Sequence, residues 1–186
     1  DVYKRQKFSV IVIATVVMLG VLADEAHAAK KYRIYGDTVT GSRMRPVEAE
    51  SLVPFDKTYD EFNSAQKKAF RSMYGVLKET EHPPYPIKGT EEIYQALIKA
   101  NKLVAVPGKL FLVANVNAQG TVDNVAVYNS PDKRITEIAT NLMLVIKFKP
   151  AVCDGVPCAM EFPFEMDLRE LTRVELDAMR RNREAG

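Results

Sequence analysis

Among its 186 residues the chain has no tryptophan, two cysteines and two histidines. The missing tryptophan excludes a Trp-based base-stacking platform. One histidine, His27, falls in a stretch read below as removed. His82, Cys153 and Cys158 then remain as the only strong soft-metal ligands and the obvious base or nucleophile candidates. A structural zinc site needs four ligands, and a triad needs a positioned base beside a nucleophile. Composition argues against both. Charge of one sign is lacking too: 26 basic minus 24 acidic residues gives +2, without the basic field of a nucleic-acid binder. No internal repeat or low-complexity linker is present. What is there, 47% hydrophobic and 27% charged residues, is ordinary for a globular domain. The length fits one domain with a tail or targeting segment.

Residues Phe8–Ala23 are nearly all apolar, with Lys4, Arg5 and Lys7 before them and Ala26-His27-Ala28 after. A basic start, an apolar middle and small residues at the end make a secretory signal peptide over residues 1–28, cleaved before Ala29. The run is short of the ~20 residues that span a bilayer. An uncleaved signal anchor is the alternative. Export would place the chain where disulfides persist.

Residues 29–56 are polar and aperiodic and read as an extended, weakly ordered arm, with Tyr32–Tyr35 a short strand at most. Residues 57–81 read as a leading helix. Phe62, Ala65, Ala69, Phe70, Met73, Tyr74 and Leu77 recur at helical spacing, Thr58 and Glu61 form a capping box, and Pro83-Pro84 ends the pattern. A second helix covers Glu91–Asn101, with Ile93, Leu97 and Ile98 on its apolar side and two glutamates at its N-terminus. Leu110–Val116 and Val125–Asn129 alternate around Asn117-Ala118-Gln119-Gly120 and predict a β-hairpin. Asp132–Leu144 is a third helix, opened by Asn129-Ser130-Pro131-Asp132, with Ile135, Ile138, Ala139, Leu142 and Ile146 on one stripe. Lys147–Lys149 is a short strand and Ala159–Asp167 a longer one. Residues 169–186 form a basic C-terminal helix, begun by a Thr172/Glu175 box with Leu171 and Leu176 as its staple.

Cys153 and Cys158 flank a tight turn through Asp154-Gly155. Strands leaving such a turn bring two Cβ atoms near bonding distance, so a disulfide across it is expected, with about 2 kcal/mol of stabilisation for so short a loop. Free thiols, a redox pair or half a metal site are the alternatives. A redox pair is usually C-x-x-C at a helix start.

The order of motifs from His82 to Leu168 resembles one family, the C-terminal domain of TonB, the energy transducer of Gram-negative envelopes. The matching residues are Pro83-Pro84-Tyr85-Pro86 and Gly108 before the apolar strand Leu110–Val116. Gly120, Val122, Val125, Val127 and Ser130 follow, then Phe148-Lys149-Pro150-Ala151 and Gly155-Val156-Pro157. The alternating Met160, Phe162, Phe164 and Met166 complete the set. The chain departs from the pattern in an extra helix between Pro86 and Gly108, in His82 where transducers often have Gln, and in its cysteine pair. The resemblance implies an α+β fold of two layers, a small antiparallel sheet packed by helices, here with an added N-terminal helix and with residues 82–168 as the domain. It implies binding rather than catalysis: an extended segment of an outer-membrane receptor adds to an exposed edge strand. The matching strand is Ala159, Met160, Glu161, Phe162, Pro163, Phe164, Glu165, Met166 and Asp167, with His82 and Tyr85 as accessory contacts. The bland alternative for those two is structural, with Tyr85 packed under the sheet and His82 merely exposed.

A transducer needs an anchor and a reach across the periplasm. Residues 31–82 hold only Pro46 and Pro54. An extended Pro-rich spacer rises roughly 3.1 Å per residue against about 1.5 Å for a helix, so the expected reach is short. The expectation is therefore an exported, periplasmic TonB-like binding module without cofactor or metal. If the signal is retained, a short anchored transducer contacting an inner-membrane proton-channel complex is the better reading. A structural envelope protein forming a homodimer through the same edge is the other alternative. An enzyme is not expected: Asp123, Asp132 and Glu137 are available carboxylates, but no nucleophile–base pair accompanies them.

Overall fold

The computed structural model describes residues 31–36 and 47–184. The expected signal segment lies outside these residues. The elements in chain order are β1 (Tyr32–Tyr35), β2 (Val47–Ser51), α1 (Ser64–Arg71), β3 (Tyr85–Pro86), α2 (Glu91–Val104), β4 (Gly108–Val116) and β5 (Val122–Asn129). Then come α3 (Lys133–Val145), β6 (Phe148–Lys149), β7 (Ala151–Cys153), β8 (Val156–Cys158), β9 (Met160–Glu170) and α4 (Arg173–Glu184). Helices and antiparallel strands are mixed in an α+β arrangement.

The main sheet has five strands in the order β1-β2-β9-β4-β5. Its spine is the β4–β9 pair, in register from Gly108↔Leu168 to Val116↔Met160. Alternation decides what each face does. Leu110, Leu112, Ala114 and Val116 of β4 and Phe162, Phe164, Met166 and Leu168 of β9 are all buried. They join one core with Ile93, Leu97 and Ile98 of α2 and Ile135, Ala139 and Met143 of α3. Burying each large side chain contributes roughly 1.5–3 kcal/mol.

The hairpin and third helix fall where the sequence places them. Asn117 Oδ1 accepts from the amides of Gln119 and Thr121, and Gly120 closes the turn at φ 76°. A Cβ at Gly120 would collide with the Phe148 carbonyl oxygen, and Phe148 N donates to the Gly120 carbonyl at 2.9 Å. The hairpin tip is thus locked to the Phe148–Ala151 segment. Asp132 caps α3 by accepting from Arg134 N at 2.8 Å. The expected stripe on α3 needs one change: Met143 is buried, whereas Ile138 is partly exposed. On α2 the helix runs three residues further than expected, to Val104, and stops at Ala105 in the left-handed region.

Residues 29–56 are not simply an arm. β1 pairs with β2, and β2 joins the sheet through Val47↔Glu170 and Glu48↔Arg169. Ala49 is fully buried. The leading helix is also shorter than expected, covering Ser64–Arg71 rather than residues 57–81. Thr58 and Glu61 do bond each other, but around a turn. The helix is started by a reciprocal Asn63–Gln66 capping box. After Arg71 its guanidinium binds the carbonyls of Lys78 and Glu81, folding the chain back as a loop. The apolar stripe read there as helical feeds an aromatic cluster. Tyr85 meets Phe62 at 5.2 Å, Phe70 at 5.1 Å and Phe162 at 5.8 Å between ring centroids, and edge-on pairs add about 0.5–1.5 kcal/mol each.

At the C-terminal side, Thr172 and Glu175 form the expected box. Glu175 also accepts from Arg169 Nη2 at 2.9 Å, and the same guanidinium contacts the buried Glu48 carboxylate. One arginine on β9 therefore ties β2 and α4 to the sheet. Cys153 and Cys158 are joined across the β7–β8 turn, with Cα atoms 5.8 Å apart.

Candidate functional site

The strand expected to present a free edge, residues 159–167, lies inside the sheet order rather than at its end. Ala159 precedes the strand and does not belong to it. One side of β9 is fully paired with β4. On the other side β2 reaches only Arg169 and Glu170. Among the described residues, no strand pairs with this second side between Met160 and Leu168. The open edge is thus a gap within the sheet, made because β2 peels away after Glu48.

The backbone groups facing this gap follow from the ladder. Glu161 and Glu165 turn their carbonyls away from β4, to Tyr74 Oη at 2.8 Å and Tyr94 Oη at 2.7 Å. Antiparallel alternation turns Pro163 and Asp167 the same way. Pro163 has no N–H to contribute, and such an unpaired side is where a strand tolerates proline. Phe162, Phe164 and Met166 point their side chains into the core and their backbones to β4. Of the nine expected strand residues, Glu161, Pro163, Glu165 and Asp167 turn their backbone toward the gap. Pro163 is itself buried, and the Glu161 and Glu165 carbonyls already accept from tyrosine hydroxyls.

A cavity of about 190 Å³ lies in the fork, between Glu50–Val53 on one side and Phe162–Glu165 with Asp167 on the other. Its apolar walls are Phe70, Met73, Tyr85, Phe162 and Phe164, with Tyr94 contributed by α2. At the rim Glu50 is held by Lys31 at 2.8 Å and Arg33 at 3.0 Å, and these cations lower its pKa. Burial drives the Tyr74, Tyr85 and Tyr94 hydroxyls well above their ordinary pKa, so all three stay protonated and able to donate.

Of the two accessory residues, Tyr85 is 2% exposed and lines the cavity. His82 is not among the lining residues. Its backbone pairs with Val152 on the disulfide hairpin, and its side chain is exposed. Sequence reasoning missed Tyr94 and Thr90. The signal for Tyr94 was present, since Tyr94, Leu97, Ile98 and Asn101 share one helical stripe.

The available carboxylates are held by local structure. Asp123 accepts from Asn117 Nδ2 at 2.7 Å, Asp132 caps α3, and Glu137 stands 3.9 Å from Lys133. Among the described residues, no three His, Cys, Asp or Glu side chains converge as metal ligands, and no helix is long and apolar enough to cross a membrane. No family model, curated protein or solved structure matches the chain.

Proposed function

We propose that this chain is a non-enzymatic, exported envelope protein that binds an extended partner segment along the open side of β9. The observation that carries this reading is the second side of β9 over Glu161–Asp167, which among the described residues no strand pairs and where tyrosine hydroxyls meet the Glu161 and Glu165 carbonyls. It is bordered by a cavity where an added strand would project a side chain. Strand addition uses main-chain hydrogen bonds for affinity and pockets for specificity, and an unpaired edge offers both donors and acceptors. The resemblance to the TonB C-terminal domain names the partner class: a periplasm-facing segment of an outer-membrane receptor. If residues 1–28 are cleaved, the chain acts as a periplasmic module. If they are retained, it is a short inner-membrane-anchored transducer.

A pull-down with receptor plug segments, run beside sizing of the free chain, tests the reading. Retention of a receptor segment by an otherwise monomeric chain is the expected result. A stable homodimer that retains no receptor would instead indicate self-association through this edge.

A further inference from the structure

We infer that the fork cavity is a socket for the phenol side chain of a tyrosine on the docked partner segment, an assignment that rests on the edge-docking reading above. Size comes first. An apolar cavity of ~150 Å³ accepts benzene, and this one measures about 190 Å³, room for a six-membered ring with one substituent. Its walls include aromatic rings and a thioether, from Phe70, Phe162, Phe164 and Met73, which favour an aromatic guest.

Polarity selects among aromatic rings. The Tyr85 hydroxyl and Thr90 Oγ1 are buried on the cavity lining and lie close enough to interact with each other, yet among the described residues neither makes a hydrogen bond of good geometry. Buried hydroxyls nearly always have partners. Thr90 is the N-cap residue of α2, a position whose hydroxyl ordinarily accepts from the helix amides, yet it makes no such bond. Two adjoining hydroxyls without a well-formed bond favour a guest that can both donate and accept. A phenol does so, whereas an indole only donates and a phenyl ring does neither. A charged tip seated among these rings would be costly to desolvate. Position agrees as well: the cavity borders the β9 side whose backbone faces the gap, so a strand added there reaches it with one side chain.

The test uses the chain labelled with ¹³C-methyl methionine and titrated with p-cresol and with toluene, which differ only in the hydroxyl. p-Cresol is expected to shift the Met73 methyl signal, to leave the core Met143 signal in place, and to bind about tenfold more tightly than toluene. Thr90→Val should bring p-cresol to the toluene level without changing toluene. Tyr85→Phe should do the same if Thr90→Val perturbs folding. Equal binding of the two probes, an unmoved Met73 signal, or no effect of either variant would overturn the socket. An extended receptor peptide titrated in parallel keeps the two ideas apart. Its binding despite failed p-cresol binding removes the socket alone, and failure of both removes the docking reading as well.

Discussion

The Tyr94 hydroxyl donates to the Glu165 carbonyl at 2.7 Å, so a helix side chain occupies a position that a neighbouring strand would fill in an unbroken sheet. From the loop after α1, the Tyr74 hydroxyl likewise donates to the Glu161 carbonyl at 2.8 Å. Together they hold the open side of β9 in strand geometry without a strand beside it. An incoming segment meets a prearranged edge whose carbonyls already have one bond each. A carbonyl oxygen has two lone pairs, so it can accept a second donor or exchange the first.

Tyr74→Phe is therefore expected to lower the stability of the free chain by about 1 kcal/mol and to tighten docking of an extended peptide. The peptide amide would no longer compete with the phenol for Glu161. Denaturant unfolding and peptide titration check the two halves. Weaker docking would mean that the Tyr74 hydroxyl itself contacts the partner.

Tyr85→Phe tests the buried hydroxyl from the side of stability. A buried polar group without a partner costs ~1–3 kcal/mol, so its removal should raise the unfolding free energy by about 1 kcal/mol or more. A loss of stability would show that the hydroxyl is paired in solution, for instance through a bound water.

Glu48 is 1% exposed and answers to Arg169. Arg169→Met should destabilise the chain by about 3–5 kcal/mol, because it strands a buried carboxylate. Replacing both residues with apolar ones should recover most of that loss. Urea unfolding of the single and double variants measures it, and a mild effect of Arg169→Met alone would contradict the pairing.

Acid should weaken the C-terminal capping. Bonds from Thr172 backbone and side chain, then Arg169, lower the Glu175 pKa to about 2. A depressed folded pKa gives stability that is present above the unfolded value of about 4.3 and is lost as pH falls toward 2. Glu175→Gln should flatten the stability profile across that window. An unchanged acid limb would mean that the box does not hold in solution.

Much of the fold was legible because local chemistry repeats the global arrangement. Asn117 and Gly120 mark the hairpin, Asp132 the third helix, and the Cys153–Cys158 spacing the small turn. β2 was not legible: Val47-Glu48-Ala49-Glu50 is poor in strand formers, and Glu48 tolerates burial only through Arg169, far along the chain. The leading helix was overread because the spacing of Phe62, Phe70 and Tyr74 suits a helix, while a cluster around Tyr85 uses those aromatic side chains. The candidate site was half visible. Residues 159–167 do include the open edge, but strand order is not a local property, and nothing near them announces that β2 diverges after Glu48. Tyr74, Tyr94 and Thr90 come from elements whose apolar neighbours masked their polar ends.

Hydrogen exchange at single amides of β9, with and without a receptor segment peptide, bears most directly on edge docking. The amides of Glu161, Glu165 and Asp167 should exchange quickly in the free chain and become protected on adding the peptide, while those of Phe162, Phe164 and Met166 stay protected throughout. Protection of Glu161, Glu165 and Asp167 before any peptide is added, or peptide-induced protection on β5 with none on β9, would contradict it.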